Sequence, residues 1–362
     1  MTDEVWILGG AGRSGRAAAA DLAAADVPVV LVGRDEARLQ QASARVGAAR
    51  WVVAESVELA TAEIRRQRPA VVVSTVGPFA ATAAPVAQAC LPSSAYVDLG
   101  NDFLSVSAVL GLQEQAVAAG RTLVTGAGFG VLATESVVVS LCEGRPAAAR
   151  VRTDAVPSVA LEGGVLGEAL AATIVDGIPE GGRRYAHGRL VRARVGGDVE
   201  HLTLPDGTQV TTASIPLGEL VAAQRASGAP FVVSASSEVP SSPVARLVLP
   251  VGSALLSFGP LRALARRRLA RVQLAERQRP RVHSWGRAEV RWADGASRVG
   301  WLRTGEASTF TAAVLAEVAR RLLHGEGRPG AYTPAALFGP SLAEACGAEL
   351  LLDGPLDRAE RG

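Results

Sequence analysis

The chain has 362 residues, more than a single hydrophobic core usually organises, so two domains are expected. Hydrophobic residues make up 48% and charged residues 20%, a globular balance, and a formal net charge of +2 gives no electrostatic case for a nucleic-acid partner. The sequence contains no lysine, which excludes Schiff-base chemistry, a Walker A phosphate loop and the Tyr-x-x-x-Lys pair of short-chain dehydrogenases.

In the first 125 residues, apolar runs occur at Val5–Leu8, Val29–Val32, Trp51–Val53, Val71–Val73, Tyr96–Leu99 and Thr122–Val124. Alanine-rich helical stretches lie between them, among them Arg13–Ala25, Ala60–Gln67 and Ser107–Ala119. Continuous apolar strands alternating with helices predict a parallel sheet covered on both faces, and right-handed crossovers make it doubly wound. After Gly126 the rhythm changes. A helical region near Ala133–Glu143 leads to Arg150–Ala155 and then the glycine-interrupted stretch LEGGVLGEALAATIVDGIP. The alternating segments HGRLVRARV, EHLTLPDGTQVTTASIP and HSWGRAEVRWADGASRVGWLRT then predict antiparallel strands, with turns at Pro205-Asp206-Gly207 and Asp294-Gly295. Thr309–Leu323 reads as an amphipathic helix.

The expected division is therefore a first α/β domain over 1–125, completed by helices from about 305–362, and a mixed α+β domain over 126–304. Ala245 to Leu261 is apolar, is followed by arginines and is interrupted by Pro250 and Gly259-Pro260. It is too short to span a bilayer and is expected to be a buried or pocket-lining helix, a membrane-surface segment with an arginine rim being the alternative.

Gly10-Ala11-Gly12-Arg13-Ser14-Gly15 matches G-x-G-x-x-G directly after a strand and at the start of a helix, the context that gives the motif its meaning. In this reading Gly10 permits the tight turn, Gly12 lets a pyrophosphate approach the backbone, and Gly15 brings helix against strand. Arg13 and Ser14 complete the loop at a helix N-terminus whose free N–H groups attract phosphate. The second strand closes on Gly33-Arg34, about 20 residues further on, where an acid would bind the ribose hydroxyl of NAD. A guanidinium there suits the 2′-phosphate of NADP, with the neighbouring Asp35 capping the next helix. The fourth strand runs into Ser74-Thr75-Val76-Gly77-Pro78, which places that loop beside the ribose or nicotinamide. Asp98 and Asp102 lie on the same sheet edge, and a helix cap is the other reading of each.

The opening GGAGRSG, the VSTVGPF and AYVDLGND loops, TGAGFGVLATE, and the closing stretch GEASTFTAAVLAEVARRLLHGEGRPGAYTPAALFGPSL resemble the saccharopine dehydrogenase-like oxidoreductases. That group includes saccharopine reductases and trans-acting enoyl reductases. The resemblance implies a Rossmann domain binding NADP through Gly10, Gly12, Ser14, Gly15 and Arg34, with Ser74 to Pro78 facing the nicotinamide. It also implies a second domain supplying a substrate pocket and often a dimer surface. Two departures stand out. Val53-Ala54-Glu55 lacks an adenine-side aspartate, and Arg13 occupies a position that is often smaller or aromatic.

A nicotinamide enzyme also needs a proton source. Without lysine the candidates are Tyr96 and Asp98, which alternate along one strand face, and Tyr185 and His187 beside Arg183 and Arg184. This second cluster could hold a carboxylate or an acyl-carrier phosphate, or be a solvated loop. No metal site is expected, because His187, His201, His283 and His324 lack ligand spacing. The chain is expected to be an NADPH-dependent reductase of a C=N or polarised C=C bond in a small or acyl-chain substrate. A non-catalytic NADP-binding regulator is the alternative. Cys90, Cys142 and Cys346, odd in number and far apart, together with a start that lacks a secretory pattern, point to a cytoplasmic protein; the resemblance implies a homodimer, and membrane contact is not expected.

Overall fold

The computed structural model describes residues 2–48, 50–160, 164–165, 175, 181–239, 258–274 and 278–352. The chain forms two compact units, one of Met1–Phe129 with Ser308–Phe338 and one of Gly130–Ala307 with Gly339–Gly362.

The first unit is built on β1 (Thr2–Leu8), β2 (Val29–Gly33), β3 (Arg50–Val53), β4 (Pro69–Ser74), β5 (Ala95–Asp98) and β6 (Thr122–Val124). With a late strand, Gly330–Tyr332, these form a seven-stranded sheet in the order late strand, β6, β5, β4, β1, β2, β3. Every pairing is parallel. Val5, Trp6, Ile7, Val71, Val72 and Val73 are fully buried, which is why these runs are continuously apolar rather than alternating. Helices α1 (Arg13–Ala24), α2 (Glu36–Val46), α3 (Val57–Gln67), α4 (Phe79–Cys90), α5 (Phe103–Leu110) and α6 (Gln113–Ala119) make the crossovers. The expected single helix over Ser107–Ala119 is thus two, broken where Gly111 ends α5. Strand order reverses between β1 and β4, so the crevice of the sheet opens at the carboxyl ends of those two strands.

Only Ser308–Phe338 of the C-terminal stretch belongs to the first unit, which is shorter than the expected 305–362. Gly339, at φ +76°, turns the chain away, and Glu349–Leu352 pairs antiparallel with Ser297–Thr304 of the second unit.

The second unit begins within α7 (Phe129–Cys142) and carries a nine-stranded mixed sheet. The expected hairpins form at Glu200–Thr203 with Gln209–Ser214 and at Ser284–Arg291 with Ser297–Thr304, and a further hairpin pairs Gly182–Ala186 with Arg189–Ala193. Strand Phe231–Ser236, which sequence patterning did not single out, runs parallel to Arg150–Val156. One sheet face packs on α7: a Cβ on Gly286 would lie 2.8 Å from Ala133 Cβ, and one on Gly300 would lie 2.8 Å from Val137 Cγ1. Another buried cluster joins Val156, Leu202, Leu204, Trp285, Val299 and Trp301, with the two indoles edge to face at 6.2 Å.

A buried ion network lies in the same sheet. Asp154, with no exposed surface, accepts hydrogen bonds from Arg152 Nε at 3.0 Å, Arg287 at 2.8 Å and the Thr212 hydroxyl at 2.7 Å. Arg287 also donates to Glu289 at 2.9 Å, and Glu289 accepts from Arg291 at 2.7 Å.

Most of the apolar stretch from Ala245 lies outside the described residues. Its described end, Phe258 to Leu261, is exposed rather than buried.

Candidate active site

β1 ends at Leu8, and the chain turns through Gly9 at φ +78°, a left-handed conformation that favours glycine. Gly9 and Gly10 donate their N–H groups to the Val32 carbonyl at 2.9 and 3.2 Å, which ties the turn to β2. A Cβ on Gly9 would lie 2.5 Å from Thr75 Oγ1, and one on Gly10 would lie 2.9 Å from Leu31 Cβ. The residue that needs left-handed backbone is therefore Gly9, which the sequence reading did not name, whereas Gly10 is required by close approach to β2. The signal was present in the Gly9-Gly10 doublet, one residue ahead of the motif's own register.

Gly12 is the N-cap of α1 and donates its N–H to the Gly9 carbonyl at 2.8 Å. A Cβ on Gly15 would collide with that same carbonyl oxygen and lie 3.0 Å from Gly10 Cα. Helix and turn are therefore in backbone contact. No side chain caps α1, and no acid sits in its first turn. Its leading N–H groups and the positive end of its dipole are left for an external anion.

Arg34 follows β2 directly, is exposed, and has no hydrogen-bond or ion-pair partner among the described residues. Asp35 is engaged as expected: its carboxylate accepts from Arg38 N at 3.0 Å and caps α2. The acid adjacent to Arg34 in the chain is thus committed to a helix.

On the other side of the reversal, Thr75 donates both its N–H, at 3.0 Å, and its hydroxyl, at 2.8 Å, to the Leu8 carbonyl. Thr82 donates its hydroxyl to the Val76 carbonyl at 2.6 Å and the Pro78 carbonyl at 3.2 Å, which holds the loop over the start of α4. The Gly77–Pro78 peptide is cis. Gly10, Gly12, Arg13, Ser14, Gly15, Arg34 and Ser74 to Pro78 accordingly all lie at the carboxyl edge of one sheet.

Tyr96 and Asp98 lie on that edge too, but below its surface. Each is fully buried, and Ser74 pairs with Asp98 across β4 and β5. Asp98 Oδ1 accepts from Gly100 N at 2.8 Å, Thr125 Oγ1 at 3.0 Å and Gly126 N at 3.2 Å, so this carboxylate joins the loops after β5 and β6. Burial raises the pKa of Asp98 despite the hydrogen bonds that favour its charge, and burial together with the adjacent carboxylate raises Tyr96 well above its ordinary value. The pair expected to serve as a proton source is thus buried in this structure. Both residues lie deeper than strand alternation conveys, and in this structure Asp98 holds the loop ends. Asp102 caps α5, accepting from Ser105 N at 2.8 Å.

Tyr185 and His187 belong to the second unit and lie on a hairpin rather than a loop. His187, at φ +51°, is a turn residue whose ring packs edge-on against Phe231 at 4.8 Å. Tyr185 is half-buried, and its pKa is raised by burial, with Arg225 opposing.

A parallel seven-stranded sheet of this order, with a glycine turn at its reversal point and a second mixed-sheet unit, is the two-unit α/β dehydrogenase fold. No family model matches the sequence, and no curated protein matches it. Among solved structures, the L-Glu-forming saccharopine dehydrogenase of Saccharomyces cerevisiae aligns over 98% of this chain and 100% of its own, with 11% identity and a TM-score of 0.58. The chain thus has the saccharopine dehydrogenase-like fold from end to end. A probable dehydrogenase from Thermotoga maritima aligns over 94% of this chain and 93% of its own, with 12% identity and a TM-score of 0.44.

Proposed function

We propose that this chain is an NADPH-dependent oxidoreductase that reduces a C=N or polarised C=C bond in a small or chain-like metabolite of the cytoplasm. The observation carrying this reading is the phosphate cradle. Gly9 and Gly15 leave no room for a side chain and Gly12 little, α1 starts without a cap, and Arg34 stands unpaired at the end of β2 among the described residues. The backbone N–H groups from Gly12 to Ser14 would hold the pyrophosphate, and Arg34 the ribose 2′-phosphate. Ser74 to Pro78 would flank the nicotinamide, which supplies a hydride when bound. The protein's own proton source then lies outside Tyr96 and Asp98, because the Tyr96 hydroxyl and Asp98 Oδ2 are sealed from solvent. That sealing favours the second reading, an NADP-binding regulator without turnover.

Arg34→Ala should weaken NADPH about tenfold or more in a fluorescence titration, the scale of a lost charge-assisted hydrogen bond, while NADH affinity changes little. Equal losses for both nucleotides would remove Arg34 from the 2′-phosphate. Turnover is decided by deuterium transfer from labelled NADPH to cyclic imines, to α-keto acid and amine pairs, or to enoyl thioesters. Transfer to any class supports the reductase, and transfer to none supports the regulator.

A further inference from the structure

We propose that the helix Gly259–Ala270 is a docking face for an anionic lipid surface. From Phe258 to Leu274 the sequence, FGPLRALARRRLARVQL, contains five arginines and no carboxylate. The helix has 12 residues, none of them buried. Phe258 is 63% exposed, Leu264 51%, Leu261 42% and Val272 42%, an unusual run of exposed apolar side chains on one short element. Helical spacing places Leu261, Leu264, Arg268 and Arg271 along one side, with Arg267 next to them. Arg262, Ala265, Arg266 and Leu269 form the half-buried side. Arg267, Arg268 and Arg271 have no carboxylate partner among the described residues.

The outward side thus presents leucines in its first half and unpaired guanidinium groups in its second. A second copy of this chain docking through the same face would set its three outward arginines against three. Nucleic acid would satisfy the arginines but leave Phe258, Leu261 and Leu264 in water. An anionic bilayer satisfies both sets, because phosphate-bearing headgroups meet the cations and the acyl boundary takes the apolar side chains. Among the described residues no helix is long and apolar enough to cross a membrane, so the contact is with a surface. The proposal departs from the expectation of no membrane contact, which rested on a buried or pocket-lining helix there. It does not depend on the reading of the nucleotide crevice.

The test is sedimentation of the full chain with vesicles of pure phosphatidylcholine or of phosphatidylcholine with about a third phosphatidylglycerol. Binding should occur to the anionic vesicles only and fall steeply in 0.5 M salt. The triple variant R267Q/R268Q/R271Q should bind about a hundredfold more weakly, each arginine at an anionic leaflet being worth roughly fivefold in partitioning. L261S/L264S should bind at low salt but lose whatever binding survives in high salt. Unchanged near-ultraviolet dichroism in both variants shows that they fold. The proposal is overturned by equal binding to both vesicle types, by no binding, or by wild-type binding in the triple variant. Association with duplex DNA or with itself through this face, in place of vesicles, overturns it as well.

Discussion

Gly15→Ala should weaken NADPH binding about ten- to hundredfold. The added methyl group would run into the Gly9 carbonyl oxygen and come within 3.0 Å of Gly10 Cα, both backbone atoms that cannot rotate aside. Forcing a methyl into packed backbone costs about 1–3 kcal/mol, and each 1.4 kcal/mol is a factor of ten in affinity. Relief requires α1 to back away from the end of β1, which moves the N–H groups meant for the pyrophosphate. Gly305→Ala is the matched control. A Cβ there would meet nothing within 4 Å, so the same methyl should leave affinity unchanged. Isothermal titration of both variants with NADPH checks the prediction, and a Gly15→Ala affinity within twofold of the parent would remove the glycine turn from the nucleotide site.

Asp154→Ala should be the most damaging single change in the second unit, at about 3–5 kcal/mol. The aspartate is the shared acceptor of Arg152 and Arg287, whose side chains are only 12% and 8% exposed. Its removal leaves two guanidinium groups without their main counter-ion in a place water hardly reaches. Guanidinium unfolding followed by tryptophan emission suits the measurement, because Trp285 and Trp301 lie in the same unit. A loss under about 1 kcal/mol would mean that Glu200 and solvent compensate. Glu289 adds a pH signature. Burial opposes its ionisation, but the hydrogen bond from Arg291 and the charges of Arg287 and Arg291 outweigh that and hold its pKa below 4.5. Its stabilising contribution is complete above 4.5 and disappears as the pH falls through the lowered value.

The sheet of the first unit was readable because both its faces are covered. Val29–Val32 or Val71–Val73 has no polar side to present, so an unbroken apolar run means a strand in such a layer. Asp35 was readable because a cap is a local device, complete within three residues. The second unit hid its ionic core for the opposite reason. Arg150-Val-Arg-Thr-Asp154 alternates like a strand with one wet face, yet Asp154 is wholly buried, and distant residues such as Thr212 and Arg287 supply its partners. Depth defeated the reading of Tyr96 and Asp98 as well, because alternation reports which side a residue faces and not how far the neighbouring loops rise above it. The strand Gly330–Tyr332 is too short to show a period at all.

That short strand constrains how the protein can be made. The sheet edge at β6 is closed by a segment synthesised far later, and the Thr122 hydroxyl bonds the Arg328 carbonyl across 206 residues of sequence. On the ribosome, β6 emerges with its outer backbone groups open, while the Gly130–Ala307 part of the second unit must be translated before its neighbour arrives. A fragment cut after Phe129 would keep that raw edge permanently. Expressed alone, that fragment should therefore aggregate, whereas co-expression with the 308–338 segment gives it the strand it lacks.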